Sequence, residues 1–129
     1  MVIAIRDGSE IPIYQQIRDQ IVMGISDGRL QPGEALPTVR ALAAEIGINS
    51  MTVNKAYQLL KLQGYIVTDR RNGARVASSF EAAEGLSKEN RELLKRLISE
   101  AKLAGMTQEE FLEECRLLYQ NQESENAQE

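Results

Sequence analysis

The segment Leu36–Gly64 constrains the fold more than any other part of the sequence, because a proline and two glycines divide it into two short helical segments. Pro37 excludes a helix before it, since it lacks an N–H and pushes the preceding residue out of the helical region. Thr38 then provides the side-chain oxygen that a helix start needs, and Gly47 supplies the left-handed conformation that ends a helix. The sequence therefore predicts a first helix over Thr38–Ile46.

A second helix is predicted to begin at Asn49 or Ser50, which both cap helices well, and to end at Gln63, before Gly64. Two helices joined by a short turn with a glycine are typical of a helix-turn-helix, whose second helix lies in the major groove of DNA. An αα-hairpin without any role in DNA binding would have the same pattern, so the two helices alone leave both interpretations open. The inward positions of the second helix are apolar at helical spacing: Val53, Ala56, Tyr57 and Leu60.

The outward positions near the start of the second helix suit a nucleic-acid surface. Asn and Gln pair bidentately with adenine, Ser hydrogen-bonds to several bases, and an apolar side chain can contact the thymine methyl. None of these positions carries a negative charge that would repel phosphate. The outward residues are Ser50, Met51, Asn54, Lys55 and Gln58.

The residues after Gly64 change to the alternating pattern of strands. Tyr65–Thr68 is rich in β-branched and aromatic residues, and Arg75–Ala77 can be its partner strand. Asn72-Gly73 between them is a strong hairpin signal. A hairpin directly after a recognition helix is typical of a winged helix. As part of an ordinary surface loop, Arg70 and Arg71 would have no special meaning, but at the tip of a wing they can contact phosphates.

Several separated motifs, in the same order and at the same spacing, resemble the winged-helix domain of GntR-type bacterial transcription regulators. The resemblance covers residues 1–78, and the turn Asn49–Thr52 is similar to the YtrA-like branch, in which Asn-Pro-Asn-Thr is usual. The residues that carry the resemblance are Leu36–Ala43, Gly47–Asn49, Thr52–Val53, Ala56–Tyr57, Leu60, Gly64, Asn72–Gly73 and Val76.

The resemblance implies roles in DNA binding at matching positions. Arg40 would contact DNA from the start of its helix, Thr52 would contact a backbone phosphate, and Gly73 matches the wing glycine. Ser50 stands where many members have an arginine that reads guanine. Together with the outward positions, the predicted DNA-binding residues are Arg40, Asn49, Ser50, Met51, Thr52, Asn54, Lys55, Arg70, Arg71 and Gly73.

The N-terminal part completes a three-helix head. Residues 1–10 are predicted to form a short extended arm, and Pro12 fits the first turn of a helix that runs to about Asp27 or Gly28. The predicted buried side of that helix is Tyr14, Ile17, Ile21, Met23 or Gly24, and Ile25.

Charge divides the chain at about residue 79. Residues 1–79 hold nine Lys and Arg against seven Asp and Glu, a net charge of +2, whereas residues 80–129 hold six against twelve, a net charge of −6. The overall charge of −4 therefore does not argue against DNA binding. Because the surplus in the head is small, binding is expected to depend on where individual cations lie: Arg6, Arg40, Lys55, Lys61, Arg70, Arg71 and Arg75.

Two more helices are predicted in the acidic half. Ser87 caps the first, which ends near Gly105, and Thr107-Gln108-Glu109-Glu110 is a capping box that opens the second. Two amphipathic helices are too few for an independent ligand-binding domain, so they are expected to pair with a second subunit; folding back on the chain's own head is the alternative. The predicted dimerisation residues are Leu93, Leu94, Leu97, Ile98, Ala101, Phe111, Leu112, Cys115 and Leu118.

The composition argues against other classes of protein. There is no histidine, the usual general base and a common metal ligand, and the single cysteine fits a reducing cytosol. Pairs of glutamates in the last helix could suggest an enzyme, but a solvated helix face explains them better. No stretch has the length of a signal peptide's apolar region or a membrane span. We therefore expect a cytoplasmic protein that is not an enzyme and needs no cofactor or metal.

The sequence thus predicts a mainly α fold with a small β-hairpin: a winged helix-turn-helix DNA-binding domain (1–79), a two-helix dimerisation tail (80–121) and a flexible C-terminus (122–129). The expected function is a homodimeric repressor that binds double-stranded DNA at an inverted-repeat operator. Resemblance to the YtrA-like branch implies regulation of its own operon, which often includes ABC-transporter genes. The alternative is a winged-helix module that binds protein and has no DNA target. The operator sequence, the regulated genes, any small-molecule effector and the sign of regulation are not encoded in these patterns.

Overall fold

The structure, a computed structural model, describes the backbone of residues 1–80 and 85–128 and the side chains within these ranges up to Gln120. The chain forms two compact units, Met1–Phe80, called the head, and Glu81–Glu129, called the tail. The mainly α fold with a small hairpin is confirmed. The elements are α1 (Ile13–Ser26), α2 (Val39–Ile46), α3 (Ser50–Leu62), β1 (Ile66–Asp69), β2 (Gly73–Val76), α4 (Lys88–Leu103) and α5 (Gln108–Gln128).

The two helices of the helix-turn-helix begin and end where the capping residues predict. The Thr38 hydroxyl accepts a hydrogen bond from the Ala41 N–H at 3.0 Å, and the Asn49 side chain accepts one from the Met51 N–H at 2.7 Å. Gly47 has a φ of 69°, the left-handed conformation in which a Cβ would be strained, so the turn between α2 and α3 depends on a glycine.

The core of the head lies around α3, which packs against α1, α2 and β1. The Tyr57 hydroxyl donates to the Pro37 carbonyl oxygen at 2.7 Å and ties α3 to the start of α2. The prediction of α3's inward stripe is confirmed in full. The largest fully buried side chains are Ile17, Ile21, Leu42, Leu60, Ile66, Val53 and Val76.

For the buried side of α1 the sequence left Met23 and Gly24 as alternatives, and the structure confirms Gly24. Met23 is 46% exposed, whereas Gly24 is buried. The reason is the close approach of the following loop: a Cβ on Gly24 would lie 3.1 Å from Leu30 Cδ1, so a larger residue here would require the Leu30 side chain to shift by a few tenths of an ångström.

The wing consists of β1, β2 and the turn Arg70–Asn72 between them. Its strands pair antiparallel, from Ile66 opposite Val76 to Asp69 opposite Gly73. The predicted second strand, Arg75–Ala77, began two residues late, because the ladder closes directly onto the three-residue turn, and it ended one residue late. On its other edge β2 bonds to the segment before α2, for example from Leu36 N to Ala74 O at 2.9 Å.

The N-terminal arm, predicted to be extended over residues 1–10, has neither helix nor strand and turns at Asp7-Gly8. It is held to α1 by two glutamine side chains. The Gln20 amide both accepts from Ala4 N at 2.9 Å and donates to Ala4 O at 2.7 Å. The Gln16 amide accepts from Arg6 N at 2.9 Å and donates to Ile11 O at 2.9 Å. Gln16 is 5% exposed, a buried polar residue that the apolar pattern of α1 did not reveal.

The tail forms the two predicted helices. Ser87 caps α4 by accepting from Asn90 N at 3.1 Å. The capping box is confirmed, since Thr107 N donates to Glu110 Oε1 at 3.0 Å and Glu110 N donates to Thr107 Oγ1 at 3.1 Å. Every described side chain of the tail is at least partly exposed. The expected flexible segment 122–129 lies outside the residues whose side chains are described.

Candidate nucleic-acid interface

Opposite its buried stripe, α3 presents an exposed polar face. Ser50, Asn54, Gln58 and Lys61 are exposed, and so is Met51, of which 78% is accessible. Asn54, Gln58 and Lys61 recur at intervals of four and three residues, so they follow one line along the helix. At 1.5 Å per residue this line is about 10 Å long, close to the height of three base-pair steps of about 3.4 Å.

A cleft of about 210 Å³ runs beside this line, between the start of α2, α3 and the wing. Of the predicted DNA-binding residues, the cleft brings Asn54 and Gly73 together. It also includes Gln58, which was predicted as an outward position of the second helix, and Lys61, one of the cations expected to serve binding. Thr68 was not predicted, and no signal in the sequence indicated it. The lining residues are Thr38, Val39, Asn54, Tyr57, Gln58, Lys61, Thr68, Gly73 and Ala74.

The start of each helix carries further predicted site residues. Arg40 is exposed in the first turn of α2, where the positive end of the helix dipole also favours phosphate. Asn49 uses its side-chain oxygen to cap α3, which leaves its NH₂ group for an outside acceptor. Thr52 is half-buried, so only part of its side chain can reach a ligand.

The tip of the wing exposes two arginines because Asp69 organises the turn beneath them. The Asp69 carboxylate accepts hydrogen bonds from Asn72 and, at 2.8 Å, from Arg71 N. These bonds, first those from Asn72, hold the pKa of the Asp69 carboxyl below its ordinary value. Arg70 and Arg71 are exposed, and no ion pair or hydrogen bond joins either guanidinium to another described residue.

Two of the cations expected to serve DNA binding have partners within the head. Arg75 Nη1 donates to the Gly33 carbonyl oxygen at 3.1 Å and is half-buried, so its guanidinium ties β2 to the loop before α2. A contact between Arg75 and DNA therefore stays a prediction, and it would use the donors that the bond to Gly33 leaves over. The Lys55 ammonium lies 4.0 Å from the centre of the Tyr14 ring, which places it on the α1 side of α3.

The tail carries an apolar groove of about 530 Å³ between α4 and α5. Of the predicted dimerisation residues, six line this groove: Leu94, Ile98, Ala101, Phe111, Leu112 and Cys115. The other three lie outside its lining and are largely accessible, with Leu93 and Leu97 each 45% exposed and Leu118 58% exposed.

Within the described residues, no group of three or more His, Cys, Asp or Glu side chains could hold a metal ion. None of the described helices combines the length and apolar content needed to cross a membrane.

The sequence and fold match known regulators. The family described as bacterial regulatory proteins, gntR family, matches residues 13–76. The chain is 38% identical over 107 residues to the HTH-type transcriptional repressor YtrA of Bacillus subtilis, covering 81% of this chain and 82% of YtrA.

Two solved structures extend the comparison. A transcriptional antiterminator from Listeria monocytogenes is similar over 95% of this chain and 93% of that chain, with a TM-score of 0.83 and 32% identity. The DNA-binding domain of AraR in complex with operator ORX1 is similar over 57% of this chain and 92% of that chain, with a TM-score of 0.51 and 29% identity. The resemblance seen in the sequence motifs is thus confirmed, and the chain belongs to the GntR family of bacterial regulatory proteins, with YtrA among its relatives.

Proposed function

We propose that the chain is a homodimeric transcriptional repressor that binds an inverted-repeat operator in double-stranded DNA. The family comprises transcription regulators and not enzymes, which confirms the expectation that the chain is not an enzyme. The name of YtrA describes a repressor, and the AraR domain was solved on an operator. Because bacterial chromosomal DNA lies in the cytoplasm, this function includes the cytoplasmic location expected from the sequence.

The exposed line of α3 beside the cleft is the observation that carries the proposal. Asn54 and Gln58 offer two amides about 6 Å apart along the helix, a spacing that suits two adenines about two base-pair steps apart. Ser50 and Met51 would enter the major groove with the first turn, and Asn49 and Thr52 would position the helix on the backbone. The proposed domain roles are DNA binding for residues 1–79 and dimerisation for residues 80–121.

The exposed cations supply the electrostatic part of binding. Arg40 would hold a phosphate at the start of α2, and Arg70 and Arg71 would follow the backbone beside the wing, which Gly73 completes. Lys55, held over Tyr14, would at most add a phosphate contact on the α1 side. With a net charge of only +2 in residues 1–79, the loss of any one of these contacts should be measurable.

The tail supports the dimeric part of the proposal. Its two helices leave the groove that includes Leu94, Phe111 and Leu112 accessible to solvent, and the same helices expose further leucines, namely Leu93, Leu97 and Leu118. A second copy brings the same apolar surface, and a two-fold interface is self-complementary. In such a dimer the two α3 helices would enter successive major grooves about 34 Å apart.

Selection of bound fragments from the organism's genomic DNA, followed by affinity measurements on the recovered sites, tests this function. We expect recovered sites with inverted repeats, an affinity that falls steeply with salt, and a loss of at least about tenfold in Arg40→Ala. Sites upstream of the chain's own gene and of ABC-transporter genes would support regulation of its own operon.

The opposite result would favour the alternative of a protein-binding module. Absence of enriched sites, together with weak and salt-insensitive binding to all duplexes, would contradict the proposed function. Sedimentation of the full chain at micromolar concentration tests the dimer separately, because the oligomeric state can be read without any DNA.

A further inference from the structure

The residues that follow the wing, which ends at Val76, still contact the rest of the head. Ala77 N donates to the Tyr65 carbonyl oxygen at 3.0 Å, and Ala77 is 5% exposed. Three residues later the Phe80 ring packs on the Tyr65 ring, with centroids 6.2 Å apart and planes tilted by 47°. The path of the chain is therefore fixed through Phe80, the last residue of the head.

Tyr65 is itself held in place by Arg18 of α1, which also bonds to the residue just past the end of α3. The Arg18 guanidinium of α1 lies 5.6 Å from the centre of the Tyr65 ring. Arg18 Nε also donates to Gln63 Oε1 at 2.9 Å, just past the end of α3, and Arg18 Nη1 pairs with Asp19 at 2.8 Å. The ring that receives Phe80 is thus fixed relative to both α1 and α3, the helix proposed to enter DNA.

We propose that Arg18, Tyr65 and Phe80 form an anchor that fixes where the chain leaves the head, and that this anchor limits which half-site spacings the dimer accepts. The inference rests on the proposed dimeric DNA-binding function. Phe80 is a positioning residue: it acts through Tyr65 on the direction and length of the connection to the tail, without touching DNA.

The length of chain that the anchor holds is large compared with a small change in the distance between two half-sites. Releasing residues 78–80 would add up to about 10 Å of extended chain per subunit, or about 20 Å for a dimer. A change of two base pairs in half-site spacing moves the sites by only about 7 Å. A short connection gives the second head a high effective concentration at a half-site with one particular spacing. A longer connection distributes the second head over several spacings, so its effective concentration at each of them is lower.

Removal of the Phe80 ring should leave the head folded. Phe80 is 43% exposed and is not among the buried core residues, and the hydrogen bond from Ala77 to Tyr65 does not involve its side chain. A change in spacing preference can therefore be measured separately from a loss of the fold.

The experiment uses the full chain and duplexes with two inverted half-sites from the genomic selection, separated in steps of one base pair. We expect the wild-type affinity to fall by about tenfold or more when the best spacing is changed by two base pairs. For Phe80→Ala the same change should cost less than about threefold, while affinity for a duplex with a single half-site stays unchanged.

Two further variants control for the ring and for stability. Phe80→Tyr keeps an aromatic ring and should retain the wild-type spacing profile. Phe80→Leu keeps most of the apolar volume but removes the ring contact, so it should flatten the profile as Phe80→Ala does. The melting temperature of each variant, measured without DNA, identifies any loss of the fold, and Phe80→Leu provides the test if Phe80→Ala does not fold.

The outcomes separate this inference from the proposed function. If the wild-type chain binds selected sites and both truncated variants keep its steep spacing preference, the anchor is contradicted and the proposed function stands. A loss of affinity for the single half-site in folded Phe80→Leu would also contradict the anchor, since Phe80 would then act on the DNA contact. If the wild-type chain binds no duplex, both proposals fail.

Discussion

At the scale of single residues, neighbouring polar side chains on the surface of α3 lie in different surroundings. Asn54 and Gln58 point into the cleft beside the wing, whereas Lys55, one position after Asn54, lies over the Tyr14 ring. Arg71 stands exposed at the wing tip. These placements predict which substitutions alter the choice of sequence and which alter only the strength of binding.

Asn54→Ala should change sequence preference. Loss of one bidentate amide contact removes about 1–3 kcal/mol of discrimination at a single base pair, and binding to other sequences should weaken less. Affinities for operator variants with each base pair exchanged measure the effect. Asn90→Ala, an exposed amide in α4, is the matched control and should leave the preference unchanged. A uniform loss across all sequences would contradict a role for Asn54 in reading bases.

Arg71→Ala should weaken binding to all duplexes to a similar degree. Because a phosphate contact releases counterions, the slope of log affinity against log salt should fall by about 1. A salt titration of affinity on two unrelated sites measures both effects. Lys95→Ala in the tail removes the same charge from an exposed position and serves as the control. An unchanged slope would show that Arg71 does not contact phosphate.

Tyr57 makes the stability of the head sensitive to alkaline pH. Burial, and then the nearby Glu45 carboxylate, raise the pKa of Tyr57 from 10.0 to about 12. Because the fold favours the neutral hydroxyl, its contribution is complete below pH 10 and is lost as the pH rises towards 12. Tyr57→Phe should lower the free energy of unfolding by about 1 kcal/mol at neutral pH, since the bond to Pro37 O is lost. Denaturant titrations from pH 8 to 11 should show a smaller decline in stability for the variant than for the wild type.

At the scale of elements, the helix boundaries and the wing differ in how far the sequence predicted them. Thr38, Gly47 and Asn49 fix α2 and α3 through local hydrogen bonds and backbone conformation, so their bounds could be predicted. The end of β2, the burial of Gln16 and the partner of Arg75 depend on contacts between residues distant in sequence. Periodicity reports which face of a helix is buried, but it does not identify the group that a polar side chain will meet.

The wing gives a prediction in which turn geometry opposes simple electrostatics. Removal of the Asp69 charge should by itself strengthen binding to DNA. Asp69→Ala also removes the acceptor for Arg71 N and Asn72 N, so the turn must be ordered on binding, which costs conformational entropy. We therefore expect Asp69→Ala to weaken binding about fivefold.

Asp69→Asn separates these two effects, because it removes the charge and keeps one acceptor oxygen. Its affinity for DNA, measured by fluorescence anisotropy beside that of Asp69→Ala, should equal or exceed that of the wild type. Equal gains in affinity in both variants would mean that the turn does not need Asp69.

At the scale of the whole molecule, the chain combines a head with a closed core and a tail whose described residues include no buried side chain. The apolar lining of the tail groove stabilises the protein only when it is buried, and we propose that a second copy of the chain buries it. The sequence predicted two amphipathic helices in this region, but a single chain cannot reveal what their apolar faces contact.

Leu112→Asp should disrupt the proposed dimer. A carboxylate in the tail groove would have to be buried on association, so the dissociation constant of the dimer should rise by at least about tenfold. Leu103→Asp is the matched control, because Leu103 is 90% exposed and does not line the groove. Sedimentation equilibrium measures both, with circular dichroism as a check on helix content. Equal dissociation constants for the two variants would argue against the groove as the interface.

The hold on the N-terminal arm has a consequence for how its sequence can vary. The side chains of Gln16 and Gln20 hydrogen-bond to main-chain atoms of Ala4, Arg6 and Ile11, much as a neighbouring strand would. Hydrogen bonds to the main chain do not depend on which side chains the arm carries. Substitutions at positions 4 and 6 should therefore leave the arm attached to α1, as should purification tags placed ahead of Met1, whereas a proline at position 4 or 6 would remove a required N–H.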